Sequence, residues 1–429
     1  MKLNRRSFLQ QSGLWVAGAA GLPYIIHSSA IGADGTIAPS NRITMGAIGV
    51  GGMGMGDLGG FLNRREIQIL AVCDVDDNHA REAKQRVDKR NGNSDCTTTR
   101  DFRQIIERKD IDSIMTATPD QWHALIGVAA ARAGKHVHSQ KPLGYSIPEG
   151  RAIVNAVKKY GIVWQTGSQQ RSDARFRQAC ELARNGVLGK IHTVEVGLPN
   201  KNSVNGADRT FKEPPAHFDY NMWLGPAPEA PYCDARCHWN FRWISDYAGG
   251  QITDWAGHHC DIAQWGMGTE LTGPVEIEGK GVWPKDPLFN TVEEYEFFCK
   301  YKEGFVMHVA GKFPNGVRFI GDKGWVFVDR GRIDAEPKSI LETKFGPNDI
   351  RLYKSDDHHG NFLDCIKTKK ECIASADIAH HSIAVGHLGL IAIKLGRKVQ
   401  WDPEKELFVN DPEADKLLQP RPLRAPWRL

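Results

Sequence analysis

Ile43–Gly54, read as ITMGAIGVGGMG, decides how the rest of the chain is parsed. Ile43 to Gly49 is a short apolar run bounded by glycine, the pattern of a buried parallel strand. Gly49, Gly51 and Gly54 then form G-x-G-x-x-G, with Gly52 and Met53 inside the loop. The first glycine permits a tight turn, the second lets backbone approach a pyrophosphate, and the third allows a helix to pack closely on the strand. A helix starting there offers free N–H groups and a partial positive charge to phosphate.

Glycines alone are weak evidence, and this chain has 44 of them, so the flanking pattern decides. Glu66–Cys73, EIQILAVC, reads as a second strand that ends at Asp74, 20 residues beyond Gly54. A carboxylate there accepts hydrogen bonds from an adenosine ribose and repels a 2′-phosphate, which favours NAD over NADP. Asp76 is a second candidate for that role, and a simple helix-initiating turn is the other reading of Asp74. Further alternation follows. Asp101 to Arg108 reads as a helix, Ile111 to Ala117 as a strand, Gln121 to Ala133 as a helix and Lys135 to Ser139 as a strand. Strands separated by helices imply a doubly wound parallel sheet with right-handed crossovers, whose ligands sit at the carboxyl ends of the strands. Thr118, Pro119 and Lys141 fall at such ends, although ordinary turn chemistry also accounts for Pro119.

Four segments resemble the Gfo/Idh/MocA oxidoreductases, which include glucose–fructose oxidoreductase and inositol 2-dehydrogenase. AIGVGGMG is similar to that family's nucleotide loop. TATPDQWH (116–123) resembles its T-P-x-x-x-H segment, QKPLG (140–144) its E-K-P motif, and GGQITDWAGHHCDIAQWGMG (249–268) its G-G-x-x-x-D-x-x-x-H-x-x-D segment. The resemblance implies a Rossmann domain over 41–165, with His123 beside the cofactor segment. It implies an α+β domain over 166–429 with an open, mostly antiparallel sheet that binds substrate and mediates oligomerisation as a dimer or tetramer. Six stretches fit strands of that sheet: 193–198, 275–282, 292–301, 305–312, 317–320 and 324–329. Gln140 departs from the family's glutamate. Its amide hydrogen-bonds but cannot stabilise the neighbouring ammonium as a carboxylate would.

Oxidising a secondary alcohol needs a base and a grip on the reacting carbon. Lys141 is the first candidate for this role and lies near the expected cofactor. Asp254 and His258 stand four residues apart, on one face if the segment is helical, with His258 the acid/base and Asp254 a substrate or relay carboxylate. The other reading makes both helix anchors. His259 and Asp261 are weaker candidates. His238, Trp239, Asn240, Phe241, Arg242 and Trp243 read either as an aromatic, hydroxyl-binding wall or as core. Arg171 and Lys201 are further loop positions that could reach substrate. No spacing of His and Cys reads as a metal site.

The activity expected is NAD-dependent oxidation or reduction of a sugar, cyclitol or glycoside, with NADP the less favoured cofactor. The competing readings are a glycoside hydrolase that oxidises transiently and eliminates the aglycone, and a non-catalytic sugar or nucleotide sensor. Fifty-five basic residues against 51 acidic give a net charge of +4, too balanced to argue for nucleic acid or a membrane surface. No stretch reads as long and apolar enough to span a bilayer. Arg5-Arg6-Ser7-Phe8-Leu9, the apolar run to Ile26 and Ser28-Ser29-Ala30 resemble a twin-arginine export signal over 1–30, followed by a linker over 31–40. The expected location is therefore periplasmic or otherwise exported. That route carries folded proteins, so a tightly bound cofactor is compatible with it, and the twin-arginine translocase becomes an expected partner. Nine cysteines follow the signal; an odd number leaves at least one thiol unpaired in a monomer, and Cys233 and Cys237 are close in sequence.

Overall fold

The structure is a computed structural model that describes residues 37–38, 41–418 and 422–429. The expected export signal over 1–30 lies outside the described residues, as does most of the expected 31–40 linker. Residues 43–429 form one compact unit.

Its first sheet has six parallel strands in the order β3-β2-β1-β4-β5-β6. These are β1 (Ile43–Ile48), β2 (Ile67–Cys73), β3 (Thr97–Thr99), β4 (Ser113–Thr116), β5 (His136–Ser139) and β6 (Trp164–Thr166). Between them run α1 (Gly52–Leu62), α2 (Asp77–Asn91), α3 (Phe102–Ile106), α4 (His123–Arg132) and α5 (Ile147–Tyr160). The order reverses between β1 and β4, and at that switch point the strands' carboxyl ends open a crevice. β1 is buried almost throughout, as a strand covered on both faces must be. The ends of α5 follow local chemistry. Ser146 accepts from the Glu149 N–H, Pro148 sits in the first turn, and Gly161 closes the helix in the left-handed conformation.

Two expected helices are shorter than their sequence pattern. The Asp101 side chain caps the Arg103 N–H, so α3 begins after it. A 3-10 turn over Asp120–Trp122 precedes α4, because Pro119 holds an extended backbone before the turn. β3 and β6, three residues each, carry too little pattern to be read from sequence.

The second sheet has nine strands in the order β13-β12-β11-β7-β10-β9-β8-β14-β15. They are β7 (Ile191–Gly197), β8 (Glu276–Val282), β9 (Glu294–Lys300), β10 (Val306–Ala310), β11 (Gly316–Gly321), β12 (Gly324–Val328), β13 (Ile333–Glu336), β14 (Val399–Asp402) and β15 (Leu407–Phe408). Neighbours are antiparallel except β7 and β10. The chain is thus a Rossmann domain joined to an α+β domain with a mostly antiparallel sheet. Along β9, Tyr295, Phe297 and Cys299 turn to the core while the residues between them do not, the period-2 signature of one covered face. Of the remaining helices, α6 (Ala174–Arg184), α8 (Gly250–Met267) and α10 (Ala376–Leu395) supply that cover. α7 (Tyr220–Leu224), α9 (His358–Thr368) and α11 (Pro412–Leu418) complete the set.

α10 corrects the expectation that no stretch is long and apolar enough to cross a membrane: by length and composition this helix is. It is apolar nearly all round because α5 and α8 pack on it along with β8 and β9, so most of its surface is core. All nine cysteines are buried free thiols, Cys233 and Cys237 included, so no disulfide takes part in the fold.

Candidate functional site

A cavity of about 550 Å³ opens at the switch point. One end is formed by Gly49, Gly51, Gly52, Met53 and Asp74, and the other by Lys141, Arg242 and Asp254. Gly49 has φ +73°, and a Cβ on Gly54 would lie 1.9 Å from the Gly49 carbonyl oxygen. Both glycines are therefore demanded by the backbone. No side chain caps the start of α1, so its first-turn N–H groups remain available to an anion. Asp74 Oδ2 accepts from the Val50 N–H at 2.8 Å and Oδ1 from the Asp76 N–H at 2.9 Å, which fixes the carboxylate at the rim of the glycine turn. The Asp74 carboxylate also holds the His79 imidazole above its usual pKa. This glycine cradle, uncapped helix start and anchored carboxylate fit a dinucleotide: the α1 N–H groups would take its pyrophosphate and Asp74 its ribose.

The opposite end joins the two domains. Lys141 follows β5 and Asp254 lies in the second turn of α8; Nζ is 2.6 Å from Oδ1 and 3.0 Å from the Asp254 carbonyl oxygen. Gly257 lies one turn further along α8, where a Cβ would meet only the Cβ of Lys141 at an ordinary contact distance of 3.5 Å. Arg242 Nε stands 3.4 Å from the same Oδ1, with its guanidinium over the Trp239 and Phe241 rings at 4.6 and 4.7 Å. Burial would raise the Asp254 pKa, but the Lys141 and Arg242 charges outweigh it and hold the carboxyl below the usual range.

Asp120 is the residue that sequence reasoning passed over. It lies in the TPDQWH segment, is buried, and lines the cavity beside Asp254 and Lys141. Burial, together with the Asp254 charge, pushes its carboxyl up to about 7 despite Lys141 and Arg242. A carboxylate directly after Thr-Pro at the end of β4 was the available signal.

His258 is buried next to this cluster rather than on the cavity wall, and its Nδ1 has no hydrogen-bond partner. Burial, then the Lys141 and Arg330 charges, depresses its pKa strongly, so the ring is neutral. His123 does not line the cavity; its ring bridges the Pro142 carbonyl at 2.6 Å and the Thr118 carbonyl at 2.9 Å, tying together the two loops that do. Thr118 and Pro119 line it themselves. The 238–243 stretch divides between its two readings: His238, Trp239, Phe241 and Arg242 face the cavity, while Asn240 and Trp243 are buried and do not line it.

Three expected substrate contacts lie elsewhere. Arg171 is 2% exposed and bound through Nε and Nη2 to both oxygens of Asp261, at 2.7 and 2.8 Å, with its guanidinium over Trp265. That pair accounts for Asp261 as well. His259 gives its Nδ1 to the Gly197 carbonyl at 2.8 Å, which anchors α8 to β7. Lys201 does not line the cavity; its carbonyl accepts from Gln251. Gln140 does line it, but its amide donates to Asp57 at 2.8 Å, and the carboxylate that Lys141 meets is Asp254.

Two family models match the chain. The Gfo/Idh/MocA "oxidoreductase family, NAD-binding Rossmann fold" matches residues 43–168, and its "C-terminal alpha/beta domain" matches residues 175–429. Myo-inositol 2-dehydrogenase of Thermotoga maritima is 25% identical over 378 residues, 85% of this chain and 98% of that protein. A glycosyl hydrolase family 109 protein of Shewanella pealeana is 30% identical over 236 residues, 49% of this chain and 51% of that one. Among solved structures, the aldose–aldose oxidoreductase of Caulobacter crescentus, complexed with glycerol, shares the fold. Its TM-score is 0.62 at 21% identity, covering 84% of this chain and 99% of that one.

Proposed function

Because the chain belongs to the Gfo/Idh/MocA family of NAD-binding oxidoreductases, we propose that it oxidises or reduces a secondary alcohol of a sugar, cyclitol or glycoside, with NAD as its cofactor. The observation that carries this reading is the Lys141–Asp254 contact at the far end of the cavity from the glycine turn. When bound, NAD supplies the hydride acceptor. Lys141 donates to the reacting hydroxyl, and Asp254 holds the ammonium in place. Asp120, whose carboxyl titrates near neutrality, takes or returns the hydroxyl proton, and neutral His258 is the second acceptor close by. Trp239 and Phe241 offer ring faces to the C–H surface of a sugar. Asp74 favours NAD over NADP by repelling a 2′-phosphate.

A panel of sugars, inositols and glycosides with NAD, followed at the NADH absorbance, tests the proposal. Stoichiometric NADH with one substrate class supports it, and no NADH with any class contradicts it. The likeness to family 109 glycosyl hydrolases favours a second reading, a hydrolase that oxidises, eliminates the aglycone and restores the alcohol. It would release aglycone with no net NADH.

The twin-arginine segment supports export to the periplasm in folded form, and Arg5-Arg6→Lys-Lys should leave precursor in the cytoplasm. Homo-oligomerisation through the sheet face away from α6, α8 and α10 is the family-based expectation, read out as mass in solution.

A further inference from the structure

Behind the loop that presents Lys141 lies a second polar cluster that the proposed reaction does not use. Asp57 on α1, His138 on β5 and His359 on α9 bring one carboxylate and two imidazoles together, with ligand atoms within 4.8 Å of one another. His138 Nε2 is 3.9 Å from Asp57 Oδ2, and His359 Nε2 is 3.5 Å from Oδ1. Neither nitrogen has a hydrogen-bond partner, although His138 is 1% exposed. Leaving such a nitrogen unsatisfied in the interior is unfavourable, because its desolvation is not offset by a hydrogen bond.

The surrounding hydrogen bonds fix which way His138 presents itself. Asn361 Oδ1 accepts from the Ile373 backbone N–H at 3.0 Å, so it is an acceptor. It therefore receives the Gln165 Nε2 amide at 3.1 Å, which leaves Gln165 Oε1 facing His138 Nδ1 at 2.9 Å. Nδ1 then carries the proton, and Nε2 points a lone pair at Asp57. Gln140 Nε2 orients the carboxylate from the other side at 2.8 Å. Anchoring a ring through its other nitrogen, and a carboxylate through an amide, is how proteins prepare metal ligands. Phe61 meets both rings edge-on, at centroid distances of 5.2 and 4.7 Å, and the two imidazoles lie 5.5 Å apart, centroid to centroid. A Cβ at Gly60 would lie 2.5 Å from the His359 ring, so that glycine gives the ring its place.

We propose that Asp57, His138 and His359 form a divalent-metal site suited to zinc, with water completing the coordination. Metal–ligand bonds of about 2.0–2.1 Å put tetrahedral ligands about 3.3 Å apart. The two imidazoles approach one carboxylate oxygen each, at 3.9 and 3.5 Å, and with all three ligand atoms within 4.8 Å of one another the set closes on an ion by side-chain movements of at most about 1.5 Å. A proton cannot replace the cation: on His359 it would serve Asp57 and leave His138 Nε2 without a partner. The ligands come from positions 57, 138 and 359, which is why no local spacing announced the site. An ion there would tie the nucleotide-loop helix α1 to the strand that leads into Lys141.

The test uses the full chain stripped with chelator and titrated with Zn²⁺ alone, then with Co²⁺ as a spectroscopic probe. Native mass spectrometry should find about one equivalent of zinc, with a rise in Tm on binding. Cobalt should show the d–d absorption of a four-coordinate nitrogen–oxygen site. His359→Ala should abolish both signals; its side chain is 24% exposed, so the variant leaves no buried hole. Gln165→Leu should weaken binding on the order of 10–100-fold. His79→Ala, which breaks the separate Asp76–His79–His238 group, should change neither. Absence of saturable binding, or binding that survives His359→Ala, would overturn the proposal.

Discussion

Lys141 and Asp254, 113 positions apart in sequence, meet with Nζ 2.6 Å from Oδ1, one just after a Rossmann strand and the other on α8 of the second domain. Both side chains are mostly buried, so the pair is shielded from solvent and salt. Arg242 touches the same oxygen, which makes Asp254 the anion shared by two cations. Asp254→Asn keeps the shape and removes that charge. kcat/KM should fall on the order of 10²-fold or more, while NAD affinity, measured by fluorescence titration, stays within a few-fold. Equal loss of NAD affinity would move Asp254 out of the substrate end of the cavity.

Asp120 sets the expected pH dependence. Its carboxyl is raised from 3.8 to about 7, chiefly by burial, so the ionised form becomes abundant in the folded protein only above neutrality. In the direction of alcohol oxidation, kcat/KM should therefore rise through an inflection near pH 7, and Asp120→Asn should remove it. The stability effect has the opposite sign. The folded state disfavours the charge, so Asp120 costs more stability as pH rises from about 4 to 7. The Tm advantage of Asp120→Asn over the native protein should grow across that interval and then level off. A pH-independent difference would contradict the assignment.

Arg171 and Asp261 form a fully buried pair, with Ser382 Oγ also donating to Asp261 at 2.6 Å. Removing one partner of such a pair leaves an uncompensated charge and typically costs about 3–5 kcal/mol. Arg171→Met should lower the urea midpoint by a corresponding amount, with KM for substrate unchanged wherever the variant remains folded. A selective rise in KM without destabilisation would restore Arg171 to the substrate site.

Asp74 ties the Val50 N–H to the second strand as well as offering a carboxylate to the cavity. Asp74→Ser should weaken NAD binding and narrow the preference over NADP, as read by isothermal titration with both nucleotides. Equal affinity of the native protein for the two would contradict the assignment.

The Rossmann half was legible because its signals are local: the Ile43–Gly54 strand and turn, and a carboxylate 20 residues on, need no distant partner to be recognised. The antiparallel strands were legible from alternation bounded by turns. α10 was not, because a helix buried on nearly every side loses the 3.6-residue polar stripe that marks one at a surface. Arg171 was misplaced for a related reason. A loop arginine looks available until Asp261, 90 positions away, is seen to hold both arms of its fork. Asp120 sat inside a quoted motif, yet only burial against Asp254 distinguishes it from an ordinary turn aspartate.

If Lys141 acts on the reacting alcohol at the junction of the two domains, single-turnover hydride transfer must slow in Lys141→Met. With a verified substrate and saturating NAD, the rate should fall by about 10²–10⁴-fold while NAD binding survives. Transfer at the native rate in that variant would contradict the account, because the residue that meets Asp254 would then have no part in the chemistry.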